Sequence, residues 1–287
     1  MKYTLMLGLG GVDDYLDMAR AADRAGWDGL SIPDSIFFPK FNESEYPYAD
    51  TKAVRDALEH VPVIEPFVAM SMMAAVTEKL QFYPGVMKVP VRQPLVLAKA
   101  LSSLAYMSGN RVKLGAGLSP WKEDFVHNGV SWEGRGARMD ECIAIIRGAL
   151  SGEYFEYHGE YYDFDAVKMT PAPSQPVPIL VGGHAAPALR RAAKIGDGWI
   201  SANSDFDSLK AMVERINAFR EEHGTADRPF EFHCLDSAAQ TADDFSRLAE
   251  IGVTHACVTP WNPYDPAVDA AAKMDAIARF TEQFVRD

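Results

Sequence analysis

Eight apolar runs of strand length are spread along the chain, with helical apolar spacing between them, and that alternation limits the fold more than any single motif. The runs are Tyr3 to Leu9, Gly29 to Ile32, Leu80 to Val86, Val112 to Ala116, Ile179 to Val181, Trp199 to Ser201, Phe230 to Cys234 and His255 to Thr259. Tyr15, Met18, Ala22 and Ala25 fall on one face of a helix, as do Met139, Ile143, Ile146 and Leu150, and Leu209, Met212, Ile216 and Phe219. Each strand is read as followed by one helix. Eight such units in 287 residues favour a closed α/β barrel, (β/α)8 or TIM type, over an open sheet. No repeat, linker or composition break divides the chain, so one domain is expected over residues 1–287. Thr241 and Asp244 form a capping-box pattern, Asp265 and Pro266 fit N-cap and N1 of a last helix, and Gly224 reads as a helix stop.

Charge and composition then exclude several classes. A formal net charge of −12 with scattered basic residues argues against nucleic-acid binding. The N-terminal segment lacks a signal peptide's long apolar core, and no apolar stretch is long enough to span a membrane, so a soluble, cytoplasmic protein is expected. Cys142, Cys234 and Cys257 are odd in number and far apart, which fits buried thiols rather than disulfides or zinc. The seven histidines show no metal-ligand spacing, and no metal is expected.

A barrel also gives function an address, because its reactive groups gather at the C-terminal ends of the strands. Residues 33–65, a long loop after the second strand, carry Phe37, Phe38, Phe41, Tyr46 and Tyr48 and read either as a lid or substrate wall or as a self-packed excursion. Residues 152–178, before the fifth strand, read as a small structural hairpin, Tyr154 to Tyr157 and Tyr161 to Phe164 flanking His158, Gly159 and Glu160. Asp34 either holds a cofactor's polar edge or a substrate proton, or caps a turn. The run Tyr83 to Lys88 mixes the breakers Pro84 and Gly85 with Val86, which suggests a bulge or strained peptide that lets backbone approach a planar ring, or else an ordinary strand end. Gly117 and Leu118 leave room above the barrel, where Trp121 walls a ligand or packs in the core. Val181, Gly182, Gly183 and His184 lead from a strand into a helix spanning Ala185 to Lys194. That arrangement suits a phosphate or is simply a strand-to-helix turn, and His184 is a phosphate ligand, a proton donor or a polar neighbour. If Glu231 and His233 face the lumen, His233 is expected to reach the active centre; Trp261 and Asn262 are candidate substrate contacts. Gly8-Leu9-Gly10-Gly11 lacks the third glycine of a dinucleotide turn.

An ordered set of motifs carries a family likeness. It comprises Ala22 to Asp28 leading to Pro33-Asp34, Glu65 to Ala69 before Ala74 to Leu80, Ser108 to Arg111, Arg135 to Glu141, Val181-Gly182-Gly183 and Gly196 to Trp199. Over most of its length the chain resembles the bacterial luciferase-like monooxygenase superfamily, especially its coenzyme F420-dependent oxidoreductase branch. The resemblance implies a (β/α)8 barrel, commonly a homodimer, with a flavin or deazaflavin ring at the strand C-termini. It implies that Asp34 contacts the cofactor, that a non-proline cis peptide at Gly85-Val86 backs the ring, and that Gly182-Gly183 helps to bind the phosphate. Some sugar-phosphate dehydrogenases of the branch have histidine and glutamate where this chain has Ser35 and Leu118, so their acid/base chemistry does not transfer. Asp205 stands where some relatives place a cation near the phosphate, which leaves FMN open beside coenzyme F420. The expected activity is hydride transfer between deazaflavin C5 and an organic substrate, with an FMN-dependent monooxygenase and a non-catalytic cofactor-binding barrel as alternatives.

Overall fold

The structure is a computed structural model that describes residues 1–8, 11–41, 44–47, 50–263, 265 and 267–285. Leu9, Gly10, Tyr48 and Pro266, which enter the readings above, lie outside the described residues. The elements run β1 (Lys2–Met6), α1 (Tyr15–Ala25), β2 (Gly29–Ile32), α2 (Thr51–Leu58), α3 (Pro66–Ala74), β3 (Gln81–Pro84), β4 (Met87–Lys88), α4 (Pro94–Ser108), β5 (Leu114–Gly117), α5 (Lys122–His127) and α6 (Arg135–Ala149). They continue with β6 (Tyr154–His158), β7 (Asp163–Lys168), β8 (Ile179–Gly182), α7 (Ala186–Ile195), β9 (Gly198–Ile200), α8 (Phe206–Glu222), β10 (Glu231–Cys234), α9 (Ala242–Glu250), β11 (His255–Val258) and α10 (Ala270–Phe280).

Nine of these strands form one parallel sheet in the order β3-β2-β1-β11-β10-β9-β8-β5-β4, curled into a nearly closed barrel with the helices around it. β3 and β4 are two halves of one barrel strand: β3 pairs with β2, and β4 pairs with β5. The seam closes at Phe82, whose N–H donates to Arg111 O at 2.9 Å and whose carbonyl accepts the Lys113 N–H at 2.9 Å. The expected eightfold barrel is therefore present, with its third strand interrupted at Gly85-Val86. β6 and β7 pair antiparallel as the expected hairpin before β8.

One helix per strand is not what the chain forms. Two helices, α2 and α3, follow β2, and α5 and α6 both precede the hairpin. In α3, Phe-Val-Ala-Met-Ser-Met-Met-Ala is apolar on every side, so it offers no stripe to read. Its start is nonetheless encoded, since Glu65 accepts the Val68 N–H at 3.0 Å and Pro66 occupies the first turn. The capping box on α9 is present, and Gly224 has φ +65° just past α8. The cap of α10 is corrected: Asp269 accepts the Ala272 N–H at 2.9 Å, while Asp265 accepts the Ala267 N–H in a preceding turn.

Strand alternation sorts the interior into two parts. Leu5, Leu30, Phe82, Leu114, Ala116, Ile179, Val181, Trp199 and Phe232 face outward into the main core beneath the helices. Tyr83, Leu180 and Ile200 face the lumen, and Val86 packs on them. Several of the motifs that carried the family likeness turn out to be pins for this frame. Asp23 accepts the N–H groups of Glu78, Lys79 and Leu80, and the Arg111 guanidinium donates to Ser108 O, Thr77 Oγ1 and Ala74 O. Asp197 takes the Ile179 N–H and the Arg147 guanidinium, and Glu141 takes the N–H groups of the hairpin turn from Glu160 to Tyr162. All three cysteines are buried and unpaired with one another. Among the described residues no helix is long and apolar enough to cross a membrane.

Candidate functional site

At the C-terminal ends of the strands, the break in the third strand becomes a surface feature. The Gly85-Val86 peptide is cis, as the resemblance implied. The Val86 side chain projects over the ends of two other strands: a Cβ on Gly117 would lie 2.3 Å from Val86 Cγ2, and one on Gly182 would lie 2.8 Å from Val86 Cγ1. No side chain larger than hydrogen fits at either position without displacing Val86. The result is an apolar ledge made by Val86 and bare backbone from β5 and β8, a shape suited to the flat face of a ring system.

Asp34 does not open onto this ledge. Its side chain is fully buried: Oδ2 accepts the Lys88 N–H at 2.8 Å and Arg92 Nη1–H at 2.9 Å, while Oδ1 accepts Arg92 Nη2–H at 2.8 Å. The carboxylate therefore fixes β4, the second half of the broken strand. Beside it, Lys88 Nζ meets Asp124 Oδ2 at 2.7 Å in a nearly buried pair, Ser119 Oγ donates to the same oxygen, and the Trp121 N–H donates to Ser119 Oγ at 3.0 Å. Four charges thus cancel in two pairs, which is what burial requires. Sequence reading gave no role to Lys88 or Arg92, because their partner Asp34 lies 54 and 58 residues away, and it passed over the local Ser119–Asp124 contact. Leu118 is half-buried against the main core, and Trp121 is buried. Tyr46, from the long loop after β2, stacks on Trp121 at 5.6 Å, and Ser44 accepts the Lys122 N–H, so this loop reaches across to the end of β5. Phe37 packs on His127, while Phe41 is exposed.

On the far side of the ledge, Val181 is buried in the main core, so only its backbone borders the opening. Gly183 has φ +117°, and α7 begins at Ala186 with no side chain capping its first N–H groups. Trp199 Nε1–H donates to Gly183 O at 2.9 Å and fixes the turn. His184 Nε2 accepts the Ala202 N–H at 2.9 Å, so that nitrogen carries no proton, and burial lowers the ring's pKa from 6.5. His184 is therefore a neutral imidazole that braces the turn against the end of β9. Asp205 caps α8, accepting both the Ser208 N–H and Oγ–H. Trp261 is half-buried against the main core.

A model of the family described as luciferase-like monooxygenase matches residues 4–281. The chain belongs to the luciferase-like monooxygenase family. An uncharacterized protein of Mycobacterium tuberculosis is 46% identical over 255 residues, covering 89% of this chain and 88% of that protein. Among solved structures, an F420-dependent secondary alcohol dehydrogenase in complex with an F420-acetone adduct superposes with a TM-score of 0.77 at 16% identity, over 100% of both chains. A monooxygenase from Streptomyces bottropensis superposes with a TM-score of 0.76 at 17% identity, over 99% of both. At these identities the structural likeness establishes the fold.

The lumen of this luciferase-like barrel holds a polar chain that does not reach the ledge. Glu231 and His233 do point inward, but they join Lys113, Tyr83 and His255 toward the N-terminal end, with Leu180, Ile200 and Val86 packed above Tyr83. The expectation that an inward His233 reaches the active centre is corrected: its height is set by pairing with His255 of β11, which itself pairs with Lys2, the first residue of β1. Burial raises the Glu231 pKa, but the His233 hydrogen bond and the Lys113 charge outweigh it and hold the carboxyl well below its usual range. Burial and the Lys113 charge lower His233 to about 4, whereas burial, His233 and Lys113 lower His255 to about 2. His233 Nε2–H therefore donates to Glu231 Oε2 at 2.8 Å, and the Tyr83 O–H donates to His233 Nδ1 at 2.8 Å. Among the described residues, Glu231, His233 and His255 are the one group spaced closely enough for a metal ion. The imidazoles, however, stack 3.9 Å apart and within 10° of parallel. Their in-plane lone pairs cannot converge on one ion at metal–nitrogen distances of about 2 Å.

The depressed histidines predict a direction for acid sensitivity. Above pH 6.5 both states hold neutral imidazoles, and the histidines contribute no pH dependence; below it the unfolded chain takes up protons that His233 and His255 refuse until about pH 4 and about pH 2. Glu231 acts in the same sense from its ordinary 4.5 downward. The melting temperature should therefore fall as pH is lowered from 6.5 to 4, and His255→Gln should reduce that slope in calorimetric scans. An unchanged slope would contradict the assignment.

Proposed function

We propose that the protein is a coenzyme F420-dependent oxidoreductase acting on a small organic substrate. The observation that carries the reading is the Val86 ledge, closed by Gly117 and Gly182 and lying beside an uncapped helix start, because it offers a flat apolar seat and a phosphate cradle on one face. Likeness to an F420-dependent alcohol dehydrogenase over the full chain supports this cofactor class. The residues present fit such a group. Gly85-Val86 would back the ring, Gly182 and Gly183 would bring backbone N–H groups to the phosphate, and Gly117, Leu118 and Trp121 would border the substrate side. When bound, the deazaflavin supplies hydride chemistry at C5.

The chain's own groups hold and enclose. Asp34 acts through Lys88 and Arg92 as a positioning residue that keeps β4, and with it Val86, in place. His184 serves as a brace rather than a proton donor through Nε2, since that atom accepts the Ala202 N–H. Tyr46 on Trp121 screens the ledge from water, which strengthens the electrostatic contacts beneath. An FMN-dependent monooxygenase is the second reading. It is favoured by Asp205, whose segment presents an acid rather than a cation near the phosphate turn, and by likeness to a monooxygenase.

Binding separates the two readings. Coenzyme F420 should raise the melting temperature of the apoprotein saturably, and Gly182→Val should weaken its binding by at least about tenfold by displacing Val86. Stabilisation by FMN with no response to F420 would replace the first reading with the second. A bound cofactor that stays redox-silent with every donor and acceptor tried would favour a storage barrel.

We also propose the homodimer that the resemblance implies. Val68 and Met72 of α3 and Val96, Tyr106 and Met107 of α4 are all exposed on neighbouring helices, an apolar grouping that a second copy would cover. Sedimentation should give the mass of two chains, and Met107→Asp combined with Met72→Asp should give one. A monomeric wild-type protein at micromolar concentration would refute this assembly.

A further inference from the structure

The barrel has a second opening at the N-terminal ends of its strands, on the face away from the ledge. It is a cavity of about 300 Å³ whose buried inner end is formed by Thr4, Gly29, Tyr83, Lys113, His233 and His255. Two hydrogen-bonding groups there are unfinished. Thr4 Oγ1 is fully buried and makes no hydrogen bond of ordinary geometry among the described residues, its near polar neighbour being the Tyr83 hydroxyl. Lys113, 7% exposed, donates from Nζ to Glu231 Oε2 at 2.5 Å, and its two other N–H donors meet no acceptor among the described residues. A ligand bearing acceptor oxygens would complete both groups in place of water.

The groups around the opening decide which ligand fits. At the rim Lys2 and Lys79 make no ion pair among the described residues. Two acids stand at the same rim: Asp23 accepts three backbone N–H groups, and Asp28 accepts the Tyr3 N–H at 2.9 Å. Lys2, Lys79 and Lys113 face Asp23, Asp28 and Glu231 around this opening, so the charges balance and the donors at its inner end decide what fits. A cation would meet the Lys113 ammonium, and the stacked imidazoles cannot ligate it together. Gly29 keeps the hydroxyl approachable, since a Cβ there would stand 3.1 Å from Thr4 Oγ1.

We propose that this opening binds a small oxyanion, a carboxylate or a phosphate, on the Thr4 hydroxyl and the Lys113 ammonium. The site is independent of the cofactor reading, because no residue of the ledge takes part.

Thermal unfolding of the cofactor-free protein, titrated with sodium phosphate and with sodium acetate against sodium chloride of equal ionic strength, tests the site. At least one of the two oxyanions should stabilise saturably beyond chloride, and which one does identifies the source chemistry. Thr4→Val keeps the side-chain shape and removes only the hydroxyl, so it should fold and should weaken that binding about tenfold. Lys113→Met should abolish it; if that variant does not fold, Thr4→Val decides. Phosphate held at the start of α7 would persist in both variants, so the difference from wild type is the readout. Stabilisation that matches chloride, or that is identical in wild type and Thr4→Val, would overturn the proposal.

Discussion

The Asp34 carboxylate ties the second half of a broken barrel strand to the end of β2, the side on which β4 has no backbone ladder. β3 ends at Pro84 and β4 resumes at Met87, so at the break the sheet ladder gives way to side-chain chemistry. Asp34, on the residue pair after β2, reaches across to the Lys88 N–H and to both ends of the Arg92 guanidinium. Removing one member of such a buried pair typically costs about 3–5 kcal/mol, because the other charge is left without compensation. Val86 sits inside the segment so fixed, and the glycines at the ends of β5 and β8 are shaped around it. Loss of this clamp would therefore be felt as loss of the ledge rather than of the fold at large.

The same barrel keeps two unlike environments apart. Above, the ledge is apolar and bordered by backbone. Below, Tyr83, His233, Glu231 and Lys113 form a continuous hydrogen-bonded chain. Leu180 and Ile200, on which Val86 packs, form the apolar layer that separates the two. Because a buried charge is tolerated only where it is paired, the lower chain is close to neutral in sum, with Glu231 against Lys113 and two neutral imidazoles. A redox cofactor on the ledge would consequently sit over hydrocarbon rather than over a field of charges.

Local pattern revealed the strands, the hairpin and the α9 capping box, and offered a bulge or strained peptide at the break beside an ordinary strand end, because each depends on residues within a few positions of one another. Pro84-Gly85 marked the interruption, and Gly182-Gly183 marked the turn into α7. The chain did not disclose what Asp34 holds, since Lys88 and Arg92 are 54 and 58 residues away and meet it only through the closure of the barrel. Likewise, alternation placed Glu231 and His233 in the lumen but could not give their height, which the register with β11 and β1 decides. Helix α3 escaped notice for the opposite reason, having apolar residues on every face and thus no period.

The central claim is that the Val86 ledge and the Gly182-Gly183 turn together form the cofactor seat. A crystal structure of the protein with bound coenzyme F420 tests it most directly. The account requires the deazaflavin ring against Val86, between Gly117 and Gly182, with the phosphate at the start of α7. A ring held elsewhere, or a phosphate placed away from Gly183, would contradict it.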